Sequence, residues 1–218
     1  MSRVCAVVGV GPGIGLAVAR RFAREGFGIG LLSRDLESAA GYAAAIDAAG
    51  GKAVAVAADA ADPRALRSAL DHLAATLGHP SVLIYNVSSS HPGPPSAVDP
   101  TDLEADFRAS VTGALIAVQH VLPAMRAAKS GTVLLTGGGL ALSPSPGAAS
   151  LSVGKAGLRS LALSFAAELE PVGIHVATVT VAGFVQPGTR FDPDLIAEAY
   201  WRLHAQKAGS WEREVVFR

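Results

Sequence analysis

A single cysteine, Cys5, stands in an apolar run, so the chain can form no internal disulfide. It reads as a small buried hydrophobe, and a reducing compartment is permitted. Neither sign of charge is in excess. The 18 basic and 18 acidic residues cancel, leaving no electrostatic footprint for nucleic acid or an anionic membrane surface. No apolar run looks long enough to cross a bilayer. The opening MSRVCAVVGVGPGIG breaks into glycines where the cleavage site of a secretory leader would stand. It reads instead as the first strand of a cytoplasmic protein. The six histidines, at 72, 79, 91, 120, 175 and 204, show no metal-ligand spacing, and no metal is expected. No internal repeat or linker divides the 218 residues, a length that suits one α/β domain.

What the chain does have is apolar residues, half of the total, and 24 glycines. Short β-branched runs alternate with longer helical patterns. VCAVVGV is continuously apolar, as a strand covered on both faces must be. Ile14, Val18 and Phe22 then recur at spacing four, and Gly26 closes that helix. GIGLL, AVAVAA, SVLIYNV, TVLLTG and IHVATVTV read as the next five strands, and EVVF near the end as a short last one. Helices are predicted over 35–49, 63–77, about 103–125 and about 150–169. Such β-α units need crossover connections, hence a parallel sheet with helices on both faces. The expected fold is α/β: a Rossmann-type, doubly wound, mostly parallel sheet in three layers, forming one domain over 1–218. Ligands in such sheets bind beyond the carboxyl ends of the strands. The segment SSSHPGPPSAVDP (88–100), too rich in proline, glycine and serine for regular structure, follows strand four and belongs beside that site.

Strand one runs into GVGPGIGLAVARRF. Glycines there allow a tight turn and close approach to a pyrophosphate, which the following helix N-terminus stabilises. The common G-x-G-x-x-G spacing fails in both registers. The spacing G-x-x-x-G-x-G fits, through Gly9, Gly13 and Gly15. Its place between first strand and first helix points to dinucleotide binding.

The loop Val8-Gly9-Val10-Gly11-Pro12-Gly13-Ile14-Gly15 resembles the T-G-x-x-x-G-I-G loop of the short-chain dehydrogenase/reductase family. The resemblance continues at matching intervals along nearly the whole chain. ADAAD is similar to the family's adenine-contacting segment, which would bring Asp59 and Ala60 to the cofactor. IYNVS resembles its N-N-A-G motif, keeping Asn86, followed by Val87, but not the first asparagine or the glycine. PVGIHVATVTVAGFV resembles the P-x-G-I-x-V…P-G segment, with Ala182 replacing the proline before Gly183, and with Val185 beyond. The resemblance implies an oxidoreductase that moves a hydride between a nicotinamide cofactor and a small organic substrate.

The second strand ends in Ser33-Arg34, a hydroxyl and a guanidinium. A carboxylate at that strand end favours NAD(H), whereas arginine matches a 2′-phosphate with a charge-assisted fork. NADP(H) is therefore expected over NAD(H). The other reading makes Arg34 a solvating residue at the helix start, with Asp35 as the cap.

By the same resemblance, catalysis needs a tyrosine, a lysine four residues after it, a serine about thirteen before it, and an asparagine on the preceding helix. The lysine is Lys155, in SVGKAGLRSL, expected at the ribose hydroxyls. The tyrosine position is Leu151, the serine position Gly138, and the asparagine position Ser110. Lys155 and Ser110 are thus the catalytic candidates, and the usual proton donor is missing. General acid–base catalysis contributes roughly 10²–10⁴-fold, so ordinary alcohol–ketone interconversion should be severely impaired. By chain position His91, Tyr85, Ser88, Ser150, Ser152 and Tyr200 stand near the mouth of the site. Tyr85 reads as packed, His91 as solvated, and Tyr200 with Trp201 as packing on a helix after strand six. The family places a substrate lid there, at about 184–207. The reading that follows is an NADP(H)-dependent oxidoreductase with a non-standard proton route, with no nucleic-acid or membrane partner. It would form a homodimer or homotetramer through 103–125 and 150–169. The alternative is a catalytically silent NADP(H)-binding regulator or scaffold.

Overall fold

The computed structural model describes residues 3–218. Seven strands form one all-parallel sheet in the order β3-β2-β1-β4-β5-β6-β7. They are β1 Val4–Val8, β2 Gly28–Ser33, β3 Lys52–Ala57, β4 Val82–Tyr85, β5 Gly131–Gly138, β6 Ile174–Val181 and β7 Glu214–Phe217. Alternate residues of each strand face opposite apolar layers, with Cys5 and Val7 on one side and Ala6 and Val8 on the other. That is why the strands are apolar throughout rather than alternating. Helices α1 (Ile14–Arg24), α2 (Leu36–Ala48) and α7 (Pro193–His204) cover one face. Helices α3 (Pro63–Leu77), α5 (Gly113–Ala128) and α6 (Ala149–Leu169) cover the other, and α4 (Pro100–Phe107) runs into α5. The chain winds outward from β1 in one direction and from β4 in the other. The carboxyl ends of β1 and β4 therefore border the switch-point crevice where such sheets bind ligands.

Three helices start on an Asp-Pro pair. Asp62, Asp99 and Asp192 each accept a backbone N–H of the first turn, and the proline after each stands where no N–H is needed. The helix expected at about 103–125 begins at Pro100 and continues to Ala128, with a π-helical turn over Arg108–Thr112 inside it. This continuous helix is long and apolar enough to cross a membrane by length and composition, contrary to the expectation that no run is, but half of its most apolar window is buried in the protein. Ala114, Ala117, Val118 and Val121 of its inner face join the core beneath α3 and α6.

Of the segment 184–207 expected as a lid, α7 is a core helix. Its Ile196, Ala197, Ala199, Tyr200 and Leu203 are fully buried against the sheet and α1. Trp201 meets Phe22 edge-to-face at 5.3 Å and takes the Arg21 guanidinium over its ring. The loop before α7 carries the exposed part, with Phe184 at 93% accessibility.

Candidate active site

The glycine loop is shaped by contacts that side chains would block. Gly9 has φ +86°, and a Cβ there would lie 2.8 Å from Val87; both exclude other residues. A Cβ at Gly15 would lie 3.0 Å from the Gly9 carbonyl oxygen and from Val10 Cα, so only glycine lets α1 start this close to the loop. Asn86 at the end of β4 ties the turn down, its Nδ2 donating to the Gly9 carbonyl at 2.9 Å. Gly11 and Gly13, in contrast, face open space: no atom lies within 4 Å of a Cβ at Gly11, and only Val185 at 3.9 Å of one at Gly13. Gly13, the N-cap of α1, has no side chain to cap the first-turn N–H groups. A bare helix N-terminus opening on a glycine cradle fits a pyrophosphate.

Two cavities meet at this loop. The first, about 770 Å³, is lined by Gly13, Ile14, Gly15, Asn86, Thr136, Gly138, Leu151, Lys155, Gly183, Val185 and nine neighbours, mostly apolar. The second, about 410 Å³ and more polar, is lined by Gly9, Ser33, Arg34, Asp59, Ala60, Asn86 and Val87 among others. Asn86 and Ser88 border both. Every residue assigned to cofactor binding from the sequence lies on one cavity or the other.

Arg34 is exposed on the rim of the second cavity, while Asp35 turns away to cap α2. Asp35 Oδ1 accepts the Ser38 N–H at 3.0 Å and Oδ2 accepts the Ser38 hydroxyl. Those bonds hold its carboxyl below the usual range.

Lys155 is held in the first cavity by one bond, Nζ donating to the Thr136 carbonyl at 2.9 Å. Its side chain keeps partial contact with the cavity, but the ammonium is enclosed, and burial alone brings its pKa down to about 8. Gly138 makes room for its stem: a Cβ there would sit 3.3 Å from Lys155 Cδ and Cε. Leu151, one helical turn earlier on α6, presents an aliphatic side chain to the same space.

Ser110 lies elsewhere. It is buried on the π-helical turn, borders neither cavity, and its hydroxyl accepts the Ser89 N–H at 3.3 Å, against Gly154 of α6. None of the three tyrosines lines either cavity. Tyr200 is fully buried with its hydroxyl 2.6 Å from Thr136 Oγ1, and burial pushes its pKa up. Tyr85 is buried under the π turn, donating to the Ala109 carbonyl.

His91, expected to be solvated, is half-exposed but anchored. Its N–H and Nδ1 lie 2.7 and 3.1 Å from the Asp106 carboxylate, and Nε2 faces Asp102 at 3.7 Å. Asp106 also accepts the Ser89 hydroxyl at 2.7 Å. Burial raises the pKa of this carboxyl, but hydrogen bonds from Ser89, Ser150 and His91 outweigh it and the net shift is downward. Asp106 thus pins the loop after β4, whose Ser88, Ser89 and His91 border the second cavity. Sequence reasoning missed Asp106; in the mixed polar run DLEADFRAS nothing local sets it apart from Asp102 and Glu104. It also missed Ser143 and Phe184 on the first cavity.

A glycine cradle at a helix N-terminus, set at the switch point of a parallel sheet, defines a dinucleotide-binding α/β protein. Residues 3–192 match the short chain dehydrogenase family, and the chain belongs to it. It is 35% identical over 181 residues to a very-long-chain 3-oxoacyl-CoA reductase of Aspergillus clavatus, a match covering 79% of this chain and 51% of that one, about half its length. It is 27% identical over 185 residues to the 3-oxoacyl-[acyl-carrier-protein] reductase of Homo sapiens, covering 85% and 76%. Among solved structures, a short-chain dehydrogenase from Rhodopseudomonas palustris aligns with a TM-score of 0.91 at 30% identity, covering 100% and 99% of the two chains. A metagenomic short-chain oxidoreductase in complex with NADP gives 0.89 at 28%, covering 98% and 96%.

Proposed function

We propose that this protein is an NADP(H)-dependent oxidoreductase that acts on a small, largely apolar organic substrate by a proton route without tyrosine. The observation that carries the reading is the pair of cavities joined at Asn86 and Ser88. One is polar, with Arg34 and Asp59; the other is apolar, with Lys155. Such a division matches a dinucleotide whose adenosine end is polar and whose reacting end is kept dry. When bound, the nicotinamide supplies or accepts the hydride. This chain's residues bind and orient it: Arg34 toward a 2′-phosphate, Asp59 and Ala60 at the adenine, the loop and the α1 N-terminus at the pyrophosphate, and Lys155 at the ribose.

The preference for NADP(H) draws support from Asp35. Its carboxylate caps α2 rather than bordering the second cavity, which leaves Arg34 as the charged residue at the end of β2 and Asp59 as the cavity's acidic one. The absence of a phenol at Leu151 and of a hydroxyl side chain at Gly138 is what makes the proton route unusual. The loop 184–192, with exposed Phe184, would close over the substrate as a lid. Exposed Phe107 on α4 and Val153 on α6 suit a homodimer or homotetramer packed through 103–125 and 150–169.

The test is titration with NADPH and NADH by nicotinamide fluorescence, then a panel of apolar carbonyl compounds and activated alkenes followed at the absorbance of the reduced nicotinamide. NADPH should bind at least tenfold more tightly, and one class should be reduced. Absence of binding by either cofactor would end the proposal.

A further inference from the structure

With Leu151 and Gly138 facing the first cavity, the space beside Lys155 holds no phenol. Among the described residues that line it, Lys155 is the only one that titrates; the remainder are glycines, aliphatic groups, Phe184, Asn86 and hydroxyl residues. Among the described residues, no carboxylate lines the cavity that its ammonium faces. Thr136 of β5 offers a backbone carbonyl, and burial is the sole cause of its shift. The nearest charged pair along α6, Arg159 with Glu214 of β7, is closed on itself at 2.6 Å. His91 borders the other cavity and Asp106 is hydrogen-bonded to it, at 3.1 Å from its Nδ1.

We propose that Lys155 is itself the general acid of the reaction, passing a proton from Nζ to the substrate oxygen. The inference rests on the reading of the site as nicotinamide-binding. With a reduced nicotinamide bound to supply the hydride, the C=O π pair of the substrate would move to oxygen as its carbon gains that hydride, and the oxygen would take the proton from Nζ. The amine left behind regains a proton from water at the cavity mouth. In the oxidative direction the neutral amine receives the hydroxyl proton. One N–H of the ammonium stays on the Thr136 carbonyl, which fixes Nζ while two remain for substrate and ribose. An ammonium is a weaker partner for a developing alkoxide in water than in an enclosed site, where desolvation makes it the stronger acid. A covalent imine is a poor alternative, because hydride delivery would convert it to a secondary amine and end turnover.

The substrate class follows from the acid. Electron-poor carbonyls, whose carbon takes up hydride readily with little polarisation of the oxygen, suit a site with this single donor. Unactivated ketones, whose oxygen needs more than one donor to orient and polarise it, do not. The probes are 2,2,2-trifluoroacetophenone and acetophenone with NADPH, in wild type, Lys155→Arg and Lys155→Met. The wild type should reduce the fluorinated ketone at a rate that falls as pH rises through about 8, the value for Lys155. Lys155→Arg keeps a cation at the ribose but one that does not give up its proton in proteins. It should hold NADPH within a few fold of wild type, lose about 10²-fold or more in kcat, and lose the pH dependence.

A readout without cofactor or substrate follows carbamylation of the Lys155 peptide by cyanate, using mass spectrometry across pH. The expected midpoint is about 8, with protection by NADP. A midpoint near the ordinary 10.5, or no reaction of Lys155 at any pH, would overturn the proposal. So would an arginine variant with undiminished kcat, or a wild type that binds NADPH yet leaves the fluorinated ketone unreduced at every pH. Failure to bind NADPH would instead strike the functional reading beneath it, whatever the cyanate profile.

Discussion

Arg34 and Asp35 are chain neighbours with opposite fates. The carboxylate turns inward on α2 to cap it, and the guanidinium is left exposed at the rim of the polar cavity. Which of the two faced a ligand was open from sequence, since either order of strand end and cap places them one residue apart. The cap geometry is what separates them. Arg34→Ala should weaken NADPH binding by about 1.5–3 kcal/mol, the scale of a hydrogen bond to a charged group, and leave NADH nearly unchanged. Isothermal titration with both cofactors checks it; equal losses would remove Arg34 from the 2′-phosphate. The lysine is a second lesson at this scale. Its spacing from Leu151 along a helix was legible, but its bond to a main-chain carbonyl of β5 was not, because that contact joins residues nineteen apart. Ser110 is the converse case. Matched by position to a family asparagine, it holds the Ser89 N–H on the far side of the π turn.

Among elements, the strands were the most legible, since runs apolar on both faces demand a covered parallel sheet. Asp-Pro pairs at 62, 99 and 192 each start a helix, yet of the three only the start at 63 was read, and the helix expected from about 103 begins at Pro100. The π-helical turn at Arg108–Thr112 was not legible. It accommodates Tyr85 beneath it: a Cβ at Gly113 would collide with that hydroxyl and with the Ala60 carbonyl. Such a turn answers to partners distant in sequence, which periodicity cannot report. The loop after β4 shows the same limit. Its proline and glycine content suggested mobility, yet the buried Asp106 carboxylate on α4 fastens it at Ser89 and His91. Helix α7, expected within a lid, is committed to the core through Tyr200, which leaves only the loop ahead of it to move.

At the scale of the whole molecule, chemistry gathers at the carboxyl ends of the strands, and the opposite end carries a second set of buried polar groups. There His204 lies among Phe22, Phe27 and Trp201, its Nδ1 2.9 Å from Thr132 Oγ1. Burial, with Arg3 and His175 nearby, lowers its pKa from 6.5 to about 4. Between those values the unfolded chain binds the proton that the folded chain refuses, so stability rises with pH across that window. Urea midpoints should therefore fall as pH drops from 6.5 toward 4, and His204→Phe should flatten that slope; an unchanged slope would assign the acid sensitivity to other groups. The central proposal concerns the other end, where Gly138 and Leu151 lie beside Lys155 on the first cavity: a nicotinamide site that works without a phenol. The most direct measurement is acetophenone reduction with NADPH by wild type and by the double variant Gly138→Ser, Leu151→Tyr. The serine Cβ would stand 3.3 Å from the Lys155 stem, a contact that a flexible side chain relieves by shifting a few tenths of an ångström, and the lysine charge then favours the new phenolate. The account predicts little reduction by wild type and at least a tenfold gain in the double variant. Brisk reduction of acetophenone by wild type, or a folded, NADPH-binding double variant with no gain, would contradict it.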